Sequence, residues 1–249
     1  MTVVAVTIAV GLFALSVASG MLGLGVAFAA VPFLGFFLPD LVHQVQPLSL
    51  FLNGVTALFA AFGFARSHLV AWRPALLLTA VTATVAPAGA WLAQYVAQGW
   101  LWAIYLLAVI YLAAQMFRRS KASPGAEQPR LGLALAIAVP ISVLAGLLGV
   151  GPGFLLMPVL ILAGYEPKLA AGINAVAVTL PSFTSLIPDL ATARVDLSLA
   201  AVLVVVGALG SFLGARLTSK FVSGPALKRI FGILIVVMTA VKMATLLAS

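Results

Sequence analysis

The sequence contains no cysteine, which excludes disulfides, thiolate metal sites and thiol chemistry. It has two histidines, His43 and His68, too far apart for a His-x-x-x-His metal helix. Charge is nearly as scarce, at 7% of 249 residues, where a soluble domain carries about 25%. The five acids are Asp40, Glu127, Glu166, Asp189 and Asp196. All lie in loops or at the ends of apolar stretches, so a buried carboxylate proton relay has no support. With no thiol, no histidine pair and no buried carboxylate pair, no enzyme activity, metal or cofactor is expected.

What fills the chain instead is apolar: 64% of residues are hydrophobic and the mean hydropathy is +1.25. So little polar surface cannot face water, and lipid is the solvent that fits. The expected class is an all-α polytopic protein of the cell membrane. Its net charge of +8 is the kind of balance that nucleic-acid binding can produce. Here, however, no basic run exceeds Arg118-Arg119, and the basic residues sit between apolar stretches. Cytoplasmic loops that retain positive charge explain the balance better than a nucleic-acid partner. The amino terminus, MTVVAV, lacks a basic n-region, so a retained helix is expected from Val3 rather than a signal peptide.

The first apolar stretch, Val3–Leu38, is 36 residues without a charge. As one straight helix it would measure about 54 Å, nearly twice a hydrocarbon core of about 30 Å. Glycines at 20, 23 and 25 lie at its middle, so two segments joined by a break are expected. Spans are expected next at 46–64, 74–93 and 100–117. The stretch 118–130, RRSKASPGAEQPR, reads as a linker. A second overlong apolar stretch, 131–164, again has central glycines at 146, 149, 151 and 153. Spans at 169–188, 197–215 and 226–247 complete the chain.

The halves repeat. SVASGMLGLGVAFAAVP at 16–32 aligns with SVLAGLLGVGPGFLLMP at 142–158. Ser16, Gly20, Gly23, Gly25, Phe28 and Pro32 meet Ser142, Gly146, Gly149, Gly151, Phe154 and Pro158; Asn53 then meets Asn174, and Gly99 meets Gly224. The expected organisation is a first transmembrane repeat at 1–117, a cytoplasmic linker at 118–130 and a second repeat at 131–249.

Charge bears on orientation. Arg66 and Arg73, the basic residues of 118–130, and Arg216, Lys220, Lys228 and Arg229 should all be cytoplasmic. Eight simple crossings would put 216–229 outside. If 3–38 and 131–164 are hairpins that enter and return on one side, that loop falls inside. The halves then become inverted repeats with both termini outside, a recurrent transporter design. Six spans plus two hairpins is the expected count, with eight simple spans as the competitor.

Glycine lets backbone leave helical geometry and approach a ligand closely. A half-helix that starts after such a break exposes N–H groups that favour anions. Gly23, Gly25, Gly149, Gly151 and Gly153 are therefore candidate substrate-binding residues, and Pro32 and Pro158 candidate structural or gating residues. The alternative reading of each glycine is tight helix packing. Asn53 and Asn174 form the aligned polar pair within spans. An amide there can coordinate a ligand or simply bond a neighbouring helix. Gln46, Ser49 and Thr56 lie near one of them, and Thr179, Ser182, Thr184 and Ser185 near the other.

These residues resemble the TauE/SafE family of sulfite exporter-like permeases. The closest match is AGLLGVGPGFLLMPVLILAGYEPKLAAGINAVAV at 145–178, and SGMLGLGVAFAAVPFL at 19–34 is a weaker copy. The resemblance implies a permease for sulfite, a sulfonate or another small organic anion. It carries the core-motif positions onto Gly23, Gly25, Pro32 and Asn53, and onto Gly149, Gly151, Gly153, Pro158 and Asn174. The sequence departs from the family pattern at Pro152 and at Val26-Ala27, where glycines are usual, and at Leu52 and Ile173, where threonine is common. The expected partners are a small anion and membrane lipid; a coupling proton or sodium ion and the oligomeric state are left open. The reading from another functional class is a membrane scaffold or assembly subunit without transport.

Overall fold

A computed structural model describes residues 3–93, 95, 96, 100, 107, 129–227, 229, 230 and 233. Apart from isolated positions, the expected spans 100–117 and 226–247 lie outside these residues, as do Gly99, Lys228, Lys242 and linker positions 118–128. The described elements are helical: α1 (Val3–Leu22), α2 (Ala27–Leu34), a π-helical turn (Leu41–Val45), α3 (Gln46–Ala65) and α4 (Trp72–Ala93) precede the linker. After it come α5 (Leu131–Leu148), α6 (Gly153–Leu162), α7 (Pro167–Leu186), a 3-10 turn (Ile187–Asp189) and α8 (Leu197–Phe221). Among the described residues, six helices are long and apolar enough to cross a membrane, namely α1, α3, α4, α5, α7 and α8. The protein is a multi-pass membrane protein.

Each overlong apolar stretch divides into one long helix and one short one. α1 has 20 residues and α2 only 8; α5 has 18 and α6 only 10. At 1.5 Å per residue, α2 and α6 rise about 12 and 15 Å, half a membrane or less. The stretches are therefore not pairs of full spans. α1 runs beyond the middle of the fold: near its end the Met21 carbonyl accepts from Thr218 Oγ1 at 2.9 Å, close to the end of α8. By Gly25 the chain has come back to the level of Asn53, within α3. The segment between them is a turn inside the protein, and α2 retraces part of α1's path.

Contact registers fix the helix directions. α1 runs alongside α8 in the same sense, with Phe13 against Gly210, Val17 against Gly214 and Met21 against Thr218. α3 shares that sense, since Ser211 Oγ donates to the Thr56 carbonyl and Arg216 Nη1 to Ser67 Oγ. α7 opposes α3, with Asn53 bonded to Ser182 and Gly172 against Phe64 and Leu69. α4 runs with α7, as Thr79 bonds the Val176 carbonyl and Thr184 the Ala83 carbonyl. α5 begins at the end of the fold where α7 begins, because Arg130 N–H donates to the Ala163 carbonyl. It therefore runs with α4.

Two seams of small residues hold the long helices together. In one, Gly20 meets the backbone of Ser211 while Gly214 meets that of Val17 and Met21. In the other, Gly146 meets Ala86 while Gly89 meets Val143 and Leu147. Positions 17, 20 and 21 of the first seam become 143, 146 and 147 in the second, and 211 and 214 become 86 and 89. At each of these glycines a Cβ would fall on neighbouring backbone. Lipid tails are as apolar as the side chains, so close backbone packing is what association here rests on. Gly20 and Gly146 are thus packing residues inside helices.

Basic residues collect at one end of the bundle. Arg66 and Arg73 follow and begin α3 and α4, Arg130 precedes α5, Lys168 begins α7, and Arg216 and Lys220 end α8. Lys168 Nζ reaches the Ser219 carbonyl at 3.4 Å, and Arg66 lies 5.0 Å over the Phe62 ring. The opposite end carries Asp40, His43, Arg194 and Asp196. There Asp40 and His43 pair at 2.9 Å, and Arg194 N–H donates to the His43 carbonyl at 2.7 Å.

Candidate functional site

The two breaks meet in the middle of the fold. Gly23 and Gly25 have φ of +64° and +72°, and Gly149 and Gly151 have +64° and +73°. The same left-handed pair therefore ends each long helix. A side chain at Gly25 would be strained by this φ and would also strike the Asn53 amide. At Gly151 a Cβ would strike the other side of that amide and approach Ser182 Oγ at 3.6 Å. Asn53 is thus clasped between both turns. The aligned rings of Phe28 and Phe154, one from each short helix, stack at 5.2 Å between centroids and 11° between planes.

Hydrogen bonds complete the join. Asn53 Oδ1 accepts from Ala27 N–H at 2.7 Å, and its Nδ2 donates to Ser182 Oγ at 2.8 Å. Thr56 Oγ1 accepts from Val26 N–H at 3.2 Å. Two otherwise unpaired donors at the start of α2 are therefore satisfied by side chains of α3. Asn174 joins the breaks differently: its Nδ2 donates to the Gly23 carbonyl at 2.8 Å and to the Gly153 carbonyl at 3.0 Å. Its Oδ1 has no hydrogen-bond partner among the described residues. Both asparagines are fully buried.

The structure therefore brings all seven candidate binding residues to one locus. Gly25, Gly151 and Asn53 touch directly; Gly23 and Gly153 share Asn174; Gly149 caps α5 and lies against the Gln46 amide. Pro32 and Pro158 lie farther along, inside α2 and α6, with Pro158 buried and Pro32 partly so. Asn174 differs from the simplest expectation, because in this conformation both its amide N–H groups are engaged by backbone carbonyls. Two bonding partners, Thr56 and Ser182, stand out in the sequence only as polar neighbours of the asparagines. The spacing Ser49–Asn53–Thr56 puts three polar residues on one face of α3, and it is the signal that singles out Thr56. Nothing local in the sequence points from Asn53 to Ser182.

Every side chain that bonds the breaks is uncharged. Among the described residues, no group of three His, Asp or Glu side chains converges as a metal site. Two cavities lie away from the locus. An apolar groove of about 330 Å³ runs between α3, α4 and α7, lined by residues including Leu58, Phe62, Trp72 and Leu180. A second, of about 380 Å³, lies at the start of α1 beside Asp196 and Ser198.

A sequence model of the Sulfite exporter TauE/SafE family matches residues 7–243. The chain belongs to that family. Two curated relatives, from Xylella fastidiosa strains 9a5c and Temecula1, are each named "Probable membrane transporter protein". Each is 28% identical over 232 residues, covering 88% of this chain and 87% of the relative. No solved structure matches. As a TauE/SafE member the protein is a membrane transporter rather than an enzyme.

Proposed function

We propose that this TauE/SafE member is a permease for a small anion, either sulfite, a sulfonate or another small organic anion, working by alternating access at the two broken helices. The observation that carries the reading is that both glycine turns converge on Asn53, with Asn174 joining the same two turns. Half-helices begin there, and their N-terminal N–H groups and dipoles favour negative charge. Uncharged amides and hydroxyls hold an anion without a fixed positive charge that would slow its release. Broken helical backbone within a membrane must be buried in protein or line a cavity, and discontinuous helices commonly form the substrate sites of transporters.

The halves are two inverted repeats, 1–117 and 131–249, joined by the linker 118–130. In support, α1, α3 and α8 run one way while α4, α5 and α7 run the other. Each counterpart in the second half is therefore reversed, and the two glycine seams correspond position by position. The basic end faces the cytoplasm by the positive-inside rule. The substrate-binding residues are Gly23, Gly25, Asn53, Gly149, Gly151, Gly153 and Asn174. Their burial corresponds to an occluded state of the cycle.

The test is uptake by purified protein in liposomes, using radiolabelled sulfite, sulfate, sulfoacetate and acetate, each with and without proton, sodium and voltage gradients. Saturable movement of at least one anion without a partner protein is expected. No movement under any gradient overturns the anion-permease reading in favour of a scaffold or assembly role.

A further inference from the structure

The two breaks are not chemically equivalent. At the first, Val26 and Ala27 N–H are satisfied by Thr56 and Asn53. Aligned positions in the second half cannot reproduce this. Pro152 stands where Val26 does and has no N–H, and Ala177 stands where Thr56 does and has no hydroxyl. Asn174, the counterpart of Asn53, uses its amide N–H groups on carbonyls instead. Gly153 N–H consequently makes no hydrogen bond among the described residues; Gly151 N–H makes none either, like that of its counterpart Gly25.

A second observation points to the same place. Ser49 is fully buried and its hydroxyl has no partner among the described residues. This is unlike Thr56, Thr82, Ser142 and Ser182, each of which donates to the carbonyl four residues earlier. Gln46, Ser49 and Asn53 share one face of α3. On that face Gln46 lies against Gly149 and Asn53 against Gly151. Ser49 lies between them on that face, at the level of the same glycine turn. Leaving a hydroxyl and two N–H groups unpaired in a buried site is costly, unless a ligand uses them.

We propose that Ser49, absent from the seven binding residues above, is an anion ligand, and that the anion's oxygens are held at the second break by its hydroxyl and by Gly151 and Gly153 N–H. Gln46, half-buried one turn earlier on α3, stands at the mouth. The hydroxyl, the two N–H groups and the Gln46 amide can all donate, which suits an oxyanion. The first break, where α3 already holds Val26 and Ala27 N–H, serves as the more fixed counterpart. Entry of the anion requires α3 and the 149–153 turn to part. This assignment rests on the anion-permease reading and deepens it.

The experiment compares Ser49→Ala and the nearly isosteric Ser49→Cys with wild type, using the four radiolabelled anions in the same liposomes. Ser16→Ala is the control, because Ser16 is the other buried serine without a partner, and it lies in the α1–α8 seam. Half-saturation does not depend on how much folded protein is recovered. For an anion that wild type carries, Ser49→Ala should raise it about tenfold or more, the loss of one hydrogen bond to a charged group. Ser49→Cys, a weaker donor, should fall between, and Ser16→Ala should match wild type. Without anion, Ser49→Ala should melt no lower than wild type, since it removes an unpaired buried hydroxyl; a purely structural serine would lose stability. If wild type carries an anion and both Ser49 variants keep its half-saturation, the assignment is wrong while the permease reading stands. If wild type carries none of the four under any gradient, both fall together.

Discussion

Replacing Gly25 with alanine tests the geometry of the breaks most directly, because two separable costs meet at that position. The first is backbone: φ is +72°, and an L side chain held there costs about 1–2 kcal/mol. The second is contact: the new methyl would strike the Asn53 amide, whose Oδ1 holds Ala27 N–H. If the amide stays, the site is overpacked, at about 1–3 kcal/mol. If it swings away, a buried N–H loses its acceptor, at about the same cost. The sum is about 2–5 kcal/mol of destabilisation. Gly132→Ala is the matched control, since a Cβ there meets nothing within 4 Å; it should gain about 0.5–1 kcal/mol as a helix substitution. Unfolding in mixed micelles would read both. Repeating Gly25→Ala in an Asn53→Ala background separates the costs, for only the backbone part, about 1–2 kcal/mol, should remain. A coupling energy of about 1–3 kcal/mol between the two positions is expected. If Gly25→Ala is as stable as Gly132→Ala, or its cost is unchanged beside Asn53→Ala, the clasp of Asn53 between the turns is wrong.

Three further outcomes are expected. Single cysteines placed at His68 and Ser219 should label only after the membrane is permeabilised, and one at Arg194 should label from outside; opposite labelling of 68 and 219 would contradict the shared direction of α3 and α8. Asn174→Leu should destabilise the protein by about 1–3 kcal/mol for each carbonyl left unpaired at Gly23 and Gly153, seen as a lower melting temperature. A variant as stable as wild type would show that the amide is not what joins the two breaks. At the end opposite the basic one, Asp196 accepts from the Ser198 side chain and from Leu199 and Ser198 N–H, which holds its pKa below the ordinary carboxylate value. A depressed folded pKa means that its cap stabilises α8 above the ordinary pKa and fades as pH falls through the folded one. Wild type and Asp196→Ala should therefore differ in stability near neutrality and converge in the acid range below about pH 4. A difference that is flat with pH would place the effect elsewhere.

The breaks were legible because two independent signals coincide in the sequence: apolar stretches too long for one crossing, and glycines at their centres. That one arm is long and the other short did not follow from that arithmetic. The sequence did not separate glycines by task. Gly20 and Gly146 read like their neighbours, yet they sit inside helices as backbone contacts, while Gly23, Gly25, Gly149 and Gly151 take the left-handed turn. The distinction depends on which helix packs opposite, and Ser211 and Ala86 are far away in sequence. The aligned asparagines were visible as a pair, but their opposed roles were not. An amide can donate or accept, and the choice was made by Pro152 and Ala177, which deny the second half the bonds available to the first. Ser49 carries no motif and becomes informative only once its hydroxyl is seen without a partner.

The seams also bear on how such a chain is made. α1 finds its small-residue groove on α8, and α5 finds its own on α4, so each long arm is completed by the other half. α1 is made before α8 and must remain in lipid, glycine stripe uncovered, until α8 has been synthesised. Neither half expressed alone would possess a finished interface, whereas the two made together as separate polypeptides would retain both described seams. On the proposed inverted-repeat reading, an ancestor of half this length would have met the same requirement by pairing with an oppositely inserted copy of itself, and joining the two copies would have fixed that ratio at one to one.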